Sequence, residues 1–263
     1  MYKSDTIHSF QPAFLQFVQP SREWLPIVRH FWGVKASFES AISQNVYPDG
    51  SWGLCFNFCQ PLHYASNRNP IFFMDALQSC RQQVILVGEL DVFGVRFWPG
   101  QALDLLPQPP LQLGQERLDL LALDPFWQDL IHELANQNTT EGRAQKFEIW
   151  LGGRFVKQNK KDYVAWAHQR IWRHHGRINI SELAGEIGVS PRTLERQFRE
   201  RTGFSPKKHA RFQRILFARR LLKTAPSLAL AEIALAAGYH DQAHFSKDFQ
   251  TVVGRSPLQY RSG

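Results

Sequence analysis

One pattern occurs twice in the last third of the chain, and it limits the fold more than any other feature. "NISELAGEIGVS" (179–190) and "LAEIALAAGYHD" (230–241) each read as a short amphipathic helix with a small residue, Ala184 or Ala234, four positions before a glycine, Gly188 or Gly238. Glycine supplies the left-handed backbone of a tight turn, and alanine lets two helices cross closely. A second helix follows each turn, over about 190–202 and 241–252. Leu194, Phe198, Gly203 and Ser205-Pro206 in the first recur 51 residues later as Phe245, Phe249, Gly254 and Ser256-Pro257. Two copies of a helix-turn-helix unit account for this economically. Asn179 is suited to cap the first unit, with Glu182 three residues on, and Ser190-Pro191 to open its second helix.

Between the copies, "SPKKHARFQRILFARRLLKTAP" (205–226) reads as one continuous helix. Its nineteen or so residues span roughly 28 Å at 1.5 Å each. A spacer of that length suits two helices entering successive major grooves on one side of a duplex, about 34 Å apart. Charge points the same way. Residues 160–263 hold 19 of the 31 Lys and Arg but 8 of the 23 acids, a net +11, whereas residues 1–159 carry −3. One end is built to meet a polyanion.

The helix opening at Ser190 packs Arg192, Arg196, Arg199 and Arg201 into about three turns. With Leu194 and Phe198 facing a core, Arg192, Glu195 and Arg196 fall at the N-terminal end that reads base edges in such units. Either arginine can fork onto guanine, and Glu195 can accept from cytosine or orient a neighbouring arginine. On the second helix, Gln242, His244 and Lys247 hold the matching positions, with lower charge density because Asp241 and Asp248 flank them. The first unit is therefore expected to dominate affinity. Arg199, Lys207, Lys208, Arg211, Arg214 and Ser246 are candidates for phosphate contacts, which position without specifying. An arginine-rich helix face is also compatible with mere solvation, and His244 with a packing role.

Residues 1–110 have another character. "HFWGVKASF", "SWGLCFNF", "QQVILVGEL" and "VFGVRFW" read as strands broken by "YPDG", "NRNP" and "WPG". They predict an α+β chain: an N-terminal small β-barrel over 1–110, connecting helices over 111–159 reached through the proline-rich "PQPPLQLG" (107–114), and an all-α tandem helix-turn-helix domain over 160–263. The first connecting helix is expected to start with Asp124 as cap and Pro125 in its first turn. Alternation in "VFGVRFW" puts Arg96 and Trp98 on one face, where, with Asp49 and Trp52, they could hold an anionic or aromatic ligand. The alternative is structural: Arg96 pairs with Asp49 or another acid, and the tryptophans fill the core.

Catalytic signatures are missing from the sequence; there is no GxSxG, P-loop or HExxH. Cys55, Cys59 and Cys80 have no zinc spacing, although Cys55 and Cys59, on one side of an expected strand, leave open a thiol sensor or soft-metal site beside buried cysteines acting as small hydrophobes. No cofactor and no metal are expected. "MYKSDTIHSF" lacks a signal-peptide pattern and no apolar run reaches eighteen residues, so a cytoplasmic protein is the expectation.

Residues 160–263 resemble the AraC/XylS family of transcription regulators, most specifically through "IALAAGYHDQAHFSKDFQTVVGRSPLQYR", which is similar to the family's second-unit signature almost position by position. "LPIVRHFWGV", "YPDGSWGLCFNF" and "FGVRFWPG" more weakly resemble a sensor domain of one branch. The resemblance implies a cupin-like sensor barrel without the histidine-rich metal motif, promoter DNA as partner, and a non-enzymatic role. It leaves open a small-molecule effector, RNA polymerase contact and a homodimer. Two other classes compete: a DNA-modifying or repair enzyme with a reactive cysteine, and an architectural DNA binder without sequence preference.

Overall fold

Aromatic and β-branched runs form strands because their side chains cover a pleated surface well. In the computed structural model, which describes residues 15–59, 62–64, 67–68, 71–75, 78–107, 109–110, 112, 117–154 and 162–262, eight strands make one antiparallel sheet. They are β1 (Leu15–Val18), β2 (Val28–Val46), β3 (Gly53–Asn57), β4 (His63–Tyr64), β5 (Asn67–Arg68), β6 (Phe72–Asp75), β7 (Gln82–Phe97) and β8 (Leu118–Asp119). The order is β1-β2-β7-β3-β6-β8, with β4 joining β5 to β7. This path is open-ended: β1 and β8 do not pair among the described residues, so the closure expected of a barrel is not part of the pairing seen.

The two strands expected at 82–90 and 92–98 are one, β7, running antiparallel to the still longer β2. Their register slips between Phe38 and Ile42, opposite the left-handed Gly88, where the extra residues bend the pair. One face of the sheet presents Phe31, Phe56 and Phe97 to Phe147 of a helix, with Phe93 stacked on Phe31 and Phe56. The other buries Val34, Cys55, Phe73, Leu86 and Val92 together.

Helices α1 (Leu120–Leu123), α2 (Trp127–Ala135) and α3 (Thr140–Gly152) follow the sheet. Because β8 pairs with β6, the sheet reaches past residue 110 to Asp119. Asp124 accepts from the Phe126 amide and α2 begins only at Trp127, two residues later than the Asp-Pro pattern predicts. Thr139 caps α3, and Arg143 ties it to β7 by donating to Asp91 at 2.9 Å. Of the proline-rich connector, residues 108, 111 and 113–114 lie outside the described residues, as do residues 1–14.

The remaining helices are α4 (Tyr163–Arg173), α5 (Ile180–Ile187), α6 (Pro191–Thr202), α7 (Pro206–Thr224), α8 (Leu230–Ala236), α9 (Gln242–Val253) and α10 (Pro257–Ser262). Val164, Ala167 and Ile171 of α4 pack with Leu183, Ala184, Leu194 and Phe198 into a core for the first unit. The second unit has no separate core. Phe212, Ile215 and Leu222 of α7, with Ile233, Phe245 and Phe249, are continuous with Tyr47, Trp52 and the sheet's aromatic face. No helix among the described residues is long and apolar enough to cross a membrane.

Candidate nucleic-acid interface

Both helix-turn-helix units close as the repeat requires. Asn179 accepts from the Ser181 amide at 2.9 Å, and Gly188 takes φ +80° before α6. In the second unit, Glu232 accepts from the Ala229 amide at 2.7 Å, and Gly238 takes φ +82°. An alanine at either glycine would enter left-handed backbone, which costs an L-residue about 1–2 kcal/mol. Ser190 caps α6 through the Thr193 amide, and Asp241 caps α9 through the His244 amide at 2.7 Å. Asp241 is therefore a cap, which explains the acid beside an otherwise basic surface.

Leu194, Phe198, Phe245 and Phe249 are fully buried. Helical geometry then fixes what faces outward. On α6, Arg192, Glu195, Arg196 and Arg199 are exposed; on α9, Gln242, His244 and Lys247 are, while Ser246 is half-buried. Arg196 pairs with Glu200 at 3.0 Å one turn on, both side chains more than half exposed. Such a pair holds only about 0.3–0.5 kcal/mol, so a stronger acceptor can take the guanidinium away. His244 lies edge-on to Tyr239 at 5.3 Å and 3.8 Å from Asp248.

Several cations are turned to internal work instead. Arg201 donates to both carboxylate oxygens of Asp162, the α4 cap, at 2.6 Å and to the Gly100 carbonyl at 2.9 Å. It joins α6 to α4 and to the turn after β7, so of the four arginines on that helix it is a fastener. Arg211 pairs with Asp248 at 3.1 Å, and Arg214 lies 4.6 Å over Tyr239 while donating to the Gly238 carbonyl. Together they fasten the spacer helix α7 to the turn of the second unit and to α9. The ammonium of Lys208 sits 4.4 Å over Phe204, its pKa lowered by partial burial and by Arg211 nearby. Lys207 and Arg199 stay exposed. Sequence reasoning could not sort these cations, because helical spacing gives a face but not what covers it.

In the sheet, Asp49 and Arg96 meet each other. Asp49, its side chain fully buried, accepts from Arg96 at 2.6 Å and Arg29 at 2.7 Å; Arg96 also reaches Asp75 at 3.2 Å. Burial opposes the Asp49 charge, yet the two guanidiniums and the Ser51 amide win and hold its carboxyl well below the usual range. Trp52 stacks on Phe97 at 4.4 Å inside the core. Of the four candidates Asp49, Trp52, Arg96 and Trp98, Trp98 lines a cleft, where the sheet meets α4. Cys55 is buried and its thiol is pushed far up by burial, which keeps it protonated and unreactive. β3 ends at Asn57, so Cys59 lies beyond the strand it was expected to share with Cys55, and Cys80 is exposed.

The residues missed by sequence reasoning are those joining the two halves. The Arg219 guanidinium lies 3.6 Å from the Tyr47 ring and 5.4 Å from that of Tyr260. Gln213 of α7 donates to the Asp49 carbonyl at 3.2 Å, and the Arg81 amide to Val252 at 3.0 Å. At Gly50, φ +77°, an added Cβ would fall 2.3 Å from Nδ1 of His209 on α7. His209 is fully buried, with no hydrogen-bond partner for either nitrogen among the described residues, and desolvation lowers its pKa to about 4.

Two family models match the chain: a "Helix-turn-helix domain" over residues 183–263 and a "Domain of unknown function (DUF6597)" over 16–119. The HTH-type transcriptional regulator GlxA of Rhizobium meliloti is 45% identical over 88 residues, which are 33% of this chain and 27% of that protein. The HTH-type transcriptional activator RhaS of Escherichia fergusonii is 28% identical over 130 residues, 49% of this chain and 40% of that one. The chain thus spans well under two thirds of the curated relatives it matches. Among solved structures, the C-terminal domain of AraT, a response regulator from Geobacillus stearothermophilus, is 31% identical at a TM-score of 0.37, covering 40% of this chain and 88% of that one.

Proposed function

Because this chain belongs, through its C-terminal domain, to the AraC/XylS family of helix-turn-helix proteins, we propose that it is a sequence-specific DNA-binding regulator of transcription. In this reading α6 and α9 enter two successive major grooves. Arg192, Glu195 and Arg196 read bases in one, and Gln242, His244 and Lys247 in the other. Arg199, Lys207 and Ser246 hold phosphates, while Lys208, Arg211 and Arg214 serve DNA indirectly by setting the angle of α7. The carrying observation is the pairing of two capped helices, each buried by a Leu/Phe or Phe/Phe pair and each presenting polar side chains outward at its N-terminal end. A solvated basic face explains the charge of α6 but not the recurrence of its cap and buried pair in α9.

Residues 1–110, extended by β8, form the sensor unit in this proposal, 111–159 brace it, and 160–263 bind DNA. The sensor responds to a small-molecule effector, and its contacts with α7 couple that response to the spacing of the reading helices. Promoter DNA is the principal partner, with RNA polymerase and a second copy of the chain as further ones, in the cytoplasm where such DNA lies. The relatives are named as transcription regulators, not enzymes.

The test is competition between a selected site and random duplex at matched salt. A regulator prefers the selected site by about a thousandfold or more. Arg196→Ala should cost about 1–3 kcal/mol on that site and relax preference at one base pair. Equal affinity for both duplexes would favour an architectural binder.

A further inference from the structure

A cleft of about 480 Å³ where the sheet meets α4 has a chemistry that the DNA-binding reading does not use. Trp98 and Arg29 supply one wall from the sheet; Trp166, His168, Trp172 and Arg173 supply the other from α4. We propose that this cleft binds a planar aromatic carboxylate, its ring against the indoles and its carboxylate on Arg173.

The walls are prepared for a flat ring. Trp98 is fixed by donating its indole N–H to the Leu25 carbonyl at 2.9 Å, and Trp172 stands edge-on to it at 5.6 Å. Trp166 is 38% exposed, an unusual cost for an indole unless something covers it. Arg29 lies 5.4 Å over the Trp98 ring and is held there by Asp49. The described lining of the cleft includes two arginines and no acid, so its field favours an anion, and a guanidinium fork matches a carboxylate best.

His168 adds a polar group to the lining. It lines the cleft, is 95% buried, and packs its ring against Trp98 at 5.5 Å and His209 at 4.8 Å. Burial holds it neutral, and a neutral imidazole carries one donor and one acceptor that a polar group of an occupant can meet. Since the two walls come from different halves of the chain, an occupant bridges them. This deepens the ligand-responsive reading above, and rests on it for coupling to DNA but not for binding.

Calorimetric titration of the full chain with 1-naphthoate, its neutral amide 1-naphthamide, and octanoate tests the proposal. 1-Naphthoate should bind saturably, about tenfold or more tighter than the amide and than octanoate. Arg173→Ala and Trp166→Ala, both at exposed positions, should each weaken it about fivefold or more with unchanged circular dichroism, while Arg196→Ala leaves it unchanged. No saturable binding of 1-naphthoate at millimolar concentration, indifference to both cleft variants, or octanoate binding as tightly would each overturn it. If 1-naphthoate binds as stated but DNA affinity is the same with and without it, the site stands and the effector reading falls.

Discussion

Gly50→Ala probes the contact between the sheet and the spacer helix at its tightest point. Two costs follow from the structure. Gly50 has φ +77°, a left-handed conformation that costs an alanine about 1–2 kcal/mol. The new methyl would also sit 2.3 Å from the His209 ring, which cannot swing aside because it is buried between His168 and Phe198. Overpacking of this kind adds about 1–3 kcal/mol, so the total is about 2–5 kcal/mol. Urea unfolding followed by circular dichroism measures it, with a constant m-value as the check that only stability changed. His209→Ala removes the clash but not the strain. In a double-mutant cycle the pair should therefore couple favourably by about 1–3 kcal/mol. A Gly50→Ala cost below about 0.5 kcal/mol, or an additive cycle, would refute the claim that this turn presses on α7.

Acid should loosen the same junction. His209 has its pKa lowered by burial to about 4, and burial also holds His168 and His30 well below their ordinary value. A group whose pKa is depressed by folding stabilises the fold above its unfolded value and loses that contribution as pH falls. Stability should therefore decline from about pH 6.5 towards pH 4, by up to about 3 kcal/mol from His209 alone, and His209→Phe should flatten the slope measured by urea titration at several pH values. Lys207→Ala should lower the salt slope of DNA binding by about one and weaken all sequences equally, read by fluorescence anisotropy across a salt series; a sequence-dependent loss would place Lys207 on a base.

The second half was legible because its information is local. Caps at Asn179 and Ser190, turns at Gly188 and Gly238, and buried pairs at Leu194/Phe198 and Phe245/Phe249 each follow from spacing within a dozen residues. The sheet was legible only as separate runs. Its order places β7 between β2 and β3, and the Asp49, Arg96 and Asp75 cluster assembles across three segments, which no local pattern encodes. Arg201, Arg211, Arg214 and Arg219 look alike in sequence to Arg192 and Arg196. They differ in what folds against them: Asp162, Asp248, Tyr239 and Tyr47 arrive from other elements.

Selection of bound duplexes from a random pool by the full chain tests the central claim most directly. Two helices reading successive grooves predict two specified blocks centred about 10–10.5 base pairs apart, with Arg196→Ala degrading one block and Gln242→Ala the other. A single block, or a pool that stays random after repeated rounds, would contradict the account.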